Sequence, residues 1–314
     1  MTIQYTAITG VFPVLPTPFD ADLSPDETSL RRLVRYLIAA SVDGMTYPGV
    51  ASEFSHLSEI ERERLVRIVI DEVAGRVPVV IGVSSADAAL SLRLARSAAK
   101  LGAAALMVAA PPQWAQAEGQ IKYFASLAET VPGVPLMLQN VPPPVGAGLP
   151  ANVLLEIVNA VPAIAYIKEE SLPSGQRLSA VLAKAPASLL GVLGGAGGRY
   201  ITDELRRGAC GTMPAIELAE VHVALMAAHR RGDASAVRQI FTRMLPILNI
   251  QAVFRWALTK EVLLTRGLIA NAAQRIEGPH LDELDRDEVA AFLGDLADLM
   301  LPASEISALE KETV

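Results

Sequence analysis

"GMTYPGVASEFSHLSEIERERLVRIVIDEV", residues 44–73, joins a short apolar run, a polar loop and an amphipathic stretch in that order. Ser58 and Glu61 have the spacing of a capping box, and apolar residues then recur on one helical face, which predicts a helix directly after the loop. The apolar run ahead of the loop is continuous rather than alternating, which is typical of a parallel strand covered on both faces. The segment therefore predicts one strand–loop–helix unit.

Similar apolar runs recur along the chain and alternate with stretches of helical periodicity. They start roughly 30 residues apart, the length of a strand–helix–strand unit with parallel strands. The eight runs are VFPVL from Val11, GMTYP from Gly44, VPVVIGV from Val77, AAALMVAA from Ala103, VPLML from Val134, AIAYI from Ala163, SLLGVL from Ser188 and CGTM from Cys210. Eight such units form a (β/α)8 TIM barrel, so we expect an α/β protein of that class. The alternative is an open doubly wound sheet, but its usual nucleotide motifs, GxGxxG after a strand or a P-loop, are missing.

The first helix has a start of its own in the sequence SPDE. Ser24 is the expected cap, Pro25 suits the first helical position and Glu27 completes a capping box. These three residues predict a helix that begins at Pro25.

Beyond the eighth run the sequence indicates helices only. Their expected ranges are 216–230, 234–248, 253–266 and 288–299. A barrel needs one of these four helices. We therefore expect residues 1–230 to form the barrel and residues 231–314 to form a C-terminal helical appendage of the same structural unit.

The composition indicates a folded protein that binds neither nucleic acid nor a membrane. Hydrophobic residues make up 51% of the 314 residues and charged residues 19%. The net charge of -7 argues against a nucleic-acid surface, and no apolar stretch reaches the ~18 residues of a membrane span. The opening sequence MTIQYTAITG contains no basic or apolar targeting segment, so the cytoplasm is the expected location.

Cysteine and histidine usage argues against a disulfide and a metal site. Cys210 is the only cysteine, and the four histidines do not have the spacing of metal ligands. We therefore expect no bound metal.

A lysine ends the predicted sixth strand in AIAYIKEES, residues 163–171. In TIM barrels, catalytic residues lie where strands end and the following loops begin. A desolvated amine at Lys168 can attack a carbonyl group and form a Schiff base. The alternative is a lysine whose ammonium group reaches water or pairs with Glu169 or Glu170.

Three other strand ends offer groups that can bind a substrate. Gln139 and Asn140 follow the fifth run, as binding groups or as satisfied core amides. The loop after the second run offers backbone amides, the Ser52 hydroxyl and the Glu53 carboxylate, unless these only complete a turn. The glycine-rich GGAGG segment after the seventh run offers backbone amides to an anion, or is glycine-rich for conformational reasons.

Together these segments resemble the dihydrodipicolinate synthase and N-acetylneuraminate lyase superfamily of Schiff-base-forming barrels. The resemblance covers nearly the whole chain and rests on five segments in the family's order. GVFPVLPTPFD resembles the first strand, GVASEFSHLSEIER the Gly-Thr-Thr-Gly-Glu-Phe loop and its helix, LQNVPPP the Tyr-Asn-x-Pro segment, YIKEES the strand with the Schiff-base lysine, and FRWALTKEVLLTRGLI the C-terminal helix. The resemblance implies that Lys168 is the nucleophile.

The resemblance also implies a homotetramer that uses no metal or organic cofactor. Its substrate is then a small 2-oxo acid, either pyruvate or a larger one, which forms an imine with Lys168 at C2. A protonated imine accepts electrons, so a C3 proton or a C3–C4 bond can be lost to give an enamine.

The chain departs from the family where tyrosines usually move protons. Gln139 stands in place of the first tyrosine, and an amide cannot act as an acid or base. The second tyrosine is also missing, since Gln113 and Trp114 occupy its neighbourhood. These losses argue against authentic dihydrodipicolinate synthesis.

The groups that bind the substrate differ as well. Val50 and Ala51 replace the hydroxyl pair that usually holds the substrate carboxylate, which leaves Ser52 and backbone amides for that role. The GGAGG segment has no acid of the kind that sugar-acid lyases use, and its binding groups are expected at the backbone of Gly194, Gly195 and Ala196.

The family branch that this chain resembles most is the 2-keto-3-deoxyarabonate dehydratases, with a similar FPVLPTPFDA opening and a glutamine before the Asx-x-Pro segment. We therefore expect a lyase that dehydrates a 2-keto-3-deoxy sugar acid, with Gln139 orienting the C4 hydroxyl group. The alternatives are a retro-aldolase, a condensing enzyme that uses pyruvate, and a non-catalytic protein that binds 2-oxo acids.

Overall fold

The computed structural model describes residues 7–309, in which strands and helices alternate through eight repeats. The strands are β1 Gly10–Val11, β2 Met45–Tyr47, β3 Val79–Gly82, β4 Ala105–Ala109, β5 Leu136–Asn140, β6 Ile164–Glu169, β7 Gly191–Gly194 and β8 Gly211–Thr212. The helices between and after them are α1 Glu27–Ala39, α2 Glu59–Val73, α3 Ala88–Lys100, α4 Ala117–Thr130, α5 Ala151–Ala160, α6 Ser174–Leu182, α7 Ile201–Arg206 and α8 Ala219–Arg230. Four further helices follow, namely α9 Ala234–Phe254, α10 Trp256–Thr265, α11 Glu283–Gly294 and α12 Ala303–Ala308.

All eight apolar runs overlap a strand, so the expectation of a (β/α)8 TIM barrel with a C-terminal helical region is confirmed. The strand residues are buried along their whole length. In a TIM barrel one face of each strand packs against the surrounding helices and the other faces the barrel interior. Both faces are buried, so the runs are continuously apolar instead of alternating.

The chain folds into two compact units, of which the first contains residues 7–9, Pro78–Ala196 and Tyr200–Met213. Its six strands, β3 to β8, pair in chain order, and every pair is parallel. The pairing of β5 with β6 places Gln139 beside Lys168 and Asn140 beside Glu169. The pairing of β6 with β7 places Glu169 beside Gly194.

The second unit contains residues 10–77, 197–199 and 214–309. Within it Val14 forms parallel bridges to Thr46 and to Ala215, so the segment after β1 lies between two other chain segments. The backbone amide of Val14 donates to the Pro214 carbonyl at 2.8 Å, and that of Leu15 donates to the Thr46 carbonyl at 3.0 Å. These bonds fix the backbone immediately before the loop that starts at Pro48.

The two predicted helix starts have different outcomes. Ser58 caps α2 and accepts from the Glu61 amide, while the Glu61 carboxylate accepts from the Ser58 amide, so the predicted capping box is confirmed. The prediction for α1 is wrong, because its cap is Asp26, whose carboxylate accepts from the Ser29 amide at 2.9 Å. Ser24 is held instead by a turn in which its amide and hydroxyl both donate to Asp22.

The C-terminal helices agree with the sequence except at the fourth. Helices α8, α9 and α10 overlap the expected ranges, but α11 begins at Glu283 instead of residue 288. The earlier start follows from Asp282, whose carboxylate caps the helix by accepting from the Asp285 amide at 3.0 Å. The barrel boundary at residue 230 stays a prediction. No helix within residues 7–309 combines the length and the apolar character needed to cross a bilayer.

Candidate active site

Lys168 is the next-to-last residue of β6 in the first unit, and its side chain is buried. Buried lysines lose hydration of the ammonium group, so they need an anionic partner or exist as the neutral amine. The partner of Lys168 is Glu170, whose Oε1 lies 2.6 Å from Nζ. Lys168 therefore does pair with a glutamate, which was the alternative that the sequence left open. The side chains of both partners are largely buried.

Strand geometry explains why Glu170, and not Glu169, meets the lysine. Side chains two positions apart along extended backbone point to the same face, and adjacent ones point to opposite faces. The Glu170 amide donates to the Asn140 carbonyl at 3.1 Å, which continues the β5–β6 ladder one residue beyond the strand. Glu170 is thereby kept extended, with its carboxylate on the Lys168 face.

Gln139 completes this group from the neighbouring strand. It is buried at the end of β5, directly beside Lys168 in the register, and its Nε2 donates to Glu170 Oε2 at 3.1 Å. The two oxygens of Glu170 thus contact an amine on one side and an amide on the other. An amide cannot act as an acid or base, so the carboxylate of Glu170 is the group of these three that can take a proton from Lys168.

On the opposite face of β6, Glu169 is buried and bound by neighbouring polar groups. Asn140 Nδ2 donates to both carboxylate oxygens at 3.0 and 2.9 Å, and the Ser171 amide donates at 2.8 Å. Arg177 Nε lies 3.6 Å from Glu169 Oε1. Burial nevertheless raises the pKa of Glu169 to about 7, because the loss of hydration outweighs these bonds.

Asn140 also fixes the loop that follows β5. Its Oδ1 accepts from the Leu149 amide at 2.8 Å and its Nδ2 donates to the Leu149 carbonyl at 3.0 Å. One side chain therefore takes the place of a strand partner for Leu149 and joins the two ends of the proline-rich loop 141–148. Asn140 is a structural amide, which is one of the two roles left open by the sequence.

Gly194 and Gly195 lie at the end of β7, where the neighbouring space is filled by side chains. A Cβ on Gly194 would lie 1.9 Å from Glu204 Oε2, and a Cβ on Gly195 would lie 2.4 Å from Glu170 Cγ. Ala196 follows with a positive φ of 50°. Substrate binding by the backbone of these three residues stays a prediction.

The other predicted binding residues, Val50, Ala51 and Ser52, form a short 3₁₀ turn in the second unit. Ser52 is fully buried; its hydroxyl accepts from the Gly49 amide at 2.8 Å and donates to the Leu15 carbonyl. The Ser52 hydroxyl thus has two partners within the protein, and substrate binding by this turn stays a prediction. Trp256 Nε1 donates to the Val50 carbonyl at 2.8 Å and so fixes the start of the turn.

Glu53, which the sequence offered as a candidate, has a structural role in the second unit. Its carboxylate lies 2.5 Å from Lys260 Nζ and also accepts from the amides of Arg275 at 2.7 Å and Ile276 at 2.8 Å. Glu53 has a φ of 56°, a conformation that costs a non-glycine residue free energy. Both oxygens of the carboxylate are bound, so they anchor the loop to the C-terminal region.

Trp114 lies over α4 in the first unit, and Gln113 beside it is exposed. The Trp114 ring is 5.7 Å from the Tyr123 ring and lines an open groove of about 510 Å³ between α3 and α4. Gly119 passes directly beneath the indole, where a Cβ would lie 2.6 Å from the ring. Trp114 packs on a helix surface and contributes no acid or base.

The residue that the sequence analysis missed is Glu170. In the sequence KEE either glutamate could be a solvated partner of the lysine, and their identical residue type does not distinguish them. A period of two along extended backbone places residues 168 and 170 on one face if the strand direction continues past the end of the strand. The sequence does not show that the backbone stays extended at residue 170.

Comparison with known proteins agrees with this fold. The model of the "Dihydrodipicolinate synthetase family" matches residues 7–295, and the chain belongs to that family. A 4-hydroxy-tetrahydrodipicolinate synthase of Thermomicrobium roseum is 32% identical over 76% of this chain and 78% of its own length. An L-2-keto-3-deoxyarabonate dehydratase of Azospirillum brasilense is 28% identical over 93% of this chain and 96% of its own length.

A solved structure of Escherichia coli K12 YagE, in complex with pyruvate, has a TM-score of 0.82 and 26% identity. The match covers 94% of this chain and 99% of the YagE chain. The family and these relatives identify the protein as an enzyme of the lyase class.

Proposed function

We propose that the protein is a Schiff-base-forming lyase that dehydrates a 2-keto-3-deoxy sugar acid through Lys168. The observation that carries the proposal is the buried Lys168–Glu170 pair, with Nζ and Oε1 2.6 Å apart and Gln139 Nε2 on the other carboxylate oxygen. The pair contains a nucleophile and a proton carrier in contact, as covalent catalysis with an amine requires. The dehydratase relative of Azospirillum brasilense, which aligns over 93% of this chain, supports the choice of reaction.

Imine formation begins when Glu170 takes a proton from the Lys168 ammonium group. The neutral amine attacks C2 of the 2-oxo acid, and the resulting carbinolamine loses its hydroxyl group as water with the proton that Glu170 holds. A protonated imine and a Glu170 carboxylate remain. The 2.6 Å separation puts the carboxylate within the distance at which proton transfer to or from the amine occurs.

Dehydration then uses the same carboxylate twice. Glu170 removes a proton from C3 and the imine accepts the electron pair, which gives an enamine. The enamine electrons expel the C4 hydroxyl group, and Glu170 returns the proton so that water leaves. Gln139 is the amide that orients the leaving hydroxyl group, and one water is lost from the substrate overall.

Retro-aldol cleavage is the second candidate, since the YagE structure was solved with pyruvate. In that reaction Glu170 removes the C4 hydroxyl proton and the C3–C4 bond breaks, which gives the three-carbon enamine of pyruvate and releases C4 with the rest of the chain as an aldehyde. The two reactions differ in the carbon count of the product. Incubation with 2-keto-3-deoxypentonates and 2-keto-3-deoxyhexonates, followed by mass spectrometry, distinguishes a product that keeps every carbon from a pair of fragments.

The first test of the proposal is borohydride trapping with pyruvate. Intact-mass and peptide mapping are expected to find the reduced adduct on Lys168, in the wild type and in the control Lys184→Ala, which removes an exposed lysine. Lys168→Ala is expected to give no adduct. A wild-type enzyme that gives no adduct with pyruvate or with a panel of 2-oxo acids would contradict the proposed chemistry.

The second test separates Glu170 from Gln139. Glu170→Gln keeps the size of the side chain but cannot carry a proton, so we expect turnover to fall about 10²- to 10⁴-fold. Gln139→Tyr adds a phenol where the amide stands; unchanged dehydration in that variant would exclude the orienting role of Gln139.

The proposal includes assembly and location. We infer a homotetramer in the cytoplasm, with no metal or organic cofactor, on the strength of the family resemblance and the protein's composition. Light scattering after size-exclusion chromatography tests the assembly, and a smaller mass than four chains would contradict it.

A further inference from the structure

Two carboxyl groups pack against adjacent residues at the end of β7. Glu204 Oε2 fills the space beside Gly194, and Glu170 Cγ fills the space beside Gly195. Adjacent residues of extended backbone face opposite ways, so the two carboxyl groups approach β7 from opposite sides. The lack of side chains at positions 194 and 195 is thus explained by the volume of Glu204 and Glu170.

Glu204 is buried but only half of its carboxyl group is bound. It lies on α7 and is 1% exposed, and its Oε1 accepts from the Ser174 hydroxyl at 2.6 Å. Its Oε2 is also buried, and no hydrogen-bond partner for it exists among residues 7–309. An ionised carboxylate in that position would lack both water and a donor for one oxygen, whereas a protonated carboxyl group avoids burying a charge.

The charges around Glu204 favour the protonated form as well. Asp203 on the same helix and Glu169 and Glu170 on the β6 side all oppose a further negative charge at Glu204. The surrounding cations are already paired, since Lys168 contacts Glu170, Arg177 lies beside Glu169 and Arg207 binds Asp203. Burial, with these carboxylates, raises the pKa of Glu204 to about 7 although the Ser174 hydrogen bond lowers it.

We propose that Glu204 is a positioning residue that holds a proton on the far side of β7 from Glu170 and so controls the charge around the Lys168–Glu170 pair. The inference rests on the proposed roles of Lys168 and Glu170. With Glu204 neutral, no negative charge from this residue acts on the pair from behind β7, and Glu170, which contacts Lys168, exchanges the proton with it. Ionised Glu204 adds a negative charge, which stabilises the Lys168 ammonium group and makes the neutral amine less accessible.

The kinetic test compares the wild type with Glu204→Gln, which is neutral at every pH and similar in size. At pH 6 we expect kcat/KM of the two enzymes to agree within about twofold. At pH 8.5 we expect the variant to be about three- to tenfold faster, because the added charge is absent. Glu204→Met is the second neutral variant, in case the glutamine disturbs folding. Glu129→Gln, which removes an exposed carboxylate on α4, is the control that leaves the wild-type profile unchanged.

The spectroscopic test needs no turnover. Infrared spectra of the substrate-free protein are expected to contain protonated-carboxyl absorption from Glu169 and Glu204 near neutral pH that fades as the pH rises. Glu204→Gln is expected to lose the Glu204 component, which gives a difference band between wild type and variant. No such difference band, or a variant that is slower than the wild type at every pH, would overturn the proposal. If Lys168 forms no adduct but the band behaves as expected, the proposed function fails while Glu204 remains a proton-holding group.

Discussion

Two buried lysine–glutamate pairs, one in each unit, differ in how completely their atoms are bound. Lys260 is fully buried; its Nζ contacts Glu53 at 2.5 Å, donates to the Ala273 carbonyl at 2.6 Å and lies 4.3 Å from the centre of the Phe19 ring. Within residues 7–309, the polar side chain that contacts Lys168 Nζ is that of Glu170. The first pair is saturated, and the second has capacity for another molecule.

The carboxylates repeat the contrast. Both oxygens of Glu53 are bound by groups of the second unit, including the backbone amides of Arg275 and Ile276. Glu170 receives the Lys168 amine and the Gln139 side chain, both of which point from strand ends. The saturated pair holds segments of the second unit together, whereas the strand-end pair is the one to which we assign proton transfer. Burial alone therefore does not identify a reactive lysine.

The largest expected effect is on turnover, from Lys168→Met. The variant removes the nucleophile, so we expect kcat to fall at least about 10⁴-fold in assays with a 2-keto-3-deoxy sugar acid. Glu170 loses its cation but keeps the Gln139 hydrogen bond, and its side chain is 13% exposed, so water can replace the amine; we expect a smaller loss of stability than for the fully buried Glu53. Residual activity above about one hundredth of the wild type would mean that Lys168, like Lys260, is not the nucleophile. The contrast between the two pairs would then fail.

Lys260→Met is the matched change in the saturated pair, and its effect is expected in stability. Glu53 would be left buried without its cation, which costs about 3–5 kcal/mol of the free energy of unfolding. Urea unfolding measures the loss. The double variant Lys260→Met with Glu53→Gln is expected to recover part of it, because no unpaired charge is then buried.

The first unit, which contains the Lys168–Glu170 pair, also holds two buried carboxyl groups with raised pKa values. The pKa values of Glu169 and Glu204 in the folded protein are about 7, against 4.5 for an ordinary glutamate. Between these values the folded protein binds more protons than the unfolded chain, so stability falls as the pH rises from about 4.5 to about 7. Each residue contributes a loss of about 3 kcal/mol over that window.

Unfolding in urea at pH 5 and pH 8 checks this sign. The stability of Glu204→Gln is expected to fall less than that of the wild type between the two pH values, since glutamine does not titrate. Equal falls in the two proteins would mean that Glu204 is ionised in the fold at both pH values.

The smallest expected effect concerns the aromatic ring at the saturated pair. Phe19 lies beneath Lys260 Nζ and also beneath the Arg275 guanidinium group, at 4.3 and 4.6 Å from the ring centre. Phe19→Leu keeps an apolar side chain but removes the ring, so we expect a loss of about 1–2 kcal/mol in the free energy of unfolding. No loss would show that Glu53 and Ala273 alone hold the lysine.

The sequence predicted the fold well because the relevant signals are local. Each strand is a continuous apolar run, and the Ser58–Glu61 capping box fixes a helix start through contacts within four residues. The error at α1 is local too: Asp26 competes with Ser24, which a turn with Asp22 removes from capping. Propensity alone cannot rank two good capping residues two positions apart.

The candidate site was predicted less completely because it depends on distant contacts. Lys168 and Gln139 were found from strand ends, but Glu170 became distinct from Glu169 only through the β5–β6 register. The closeness of Glu204 to Gly194 joins residues from β7 and α7, and a single sequence contains no trace of that packing. The glycines were therefore interpreted as flexible or ligand-binding, although neighbouring carboxyl groups fill their space.

The double hydrogen bond of Asn140 to Leu149 makes the intervening loop an exchangeable cassette. The loop of residues 141–148 begins after Asn140 and ends before Leu149, which are joined by these two hydrogen bonds. We therefore expect that the length and side chains of the loop can be varied without moving the strand that supports Gln139. Libraries built there test whether this loop affects substrate choice while the reactive pair stays in place. The same clamp gives protein engineers a defined pair of junctions for grafting loops from related lyases.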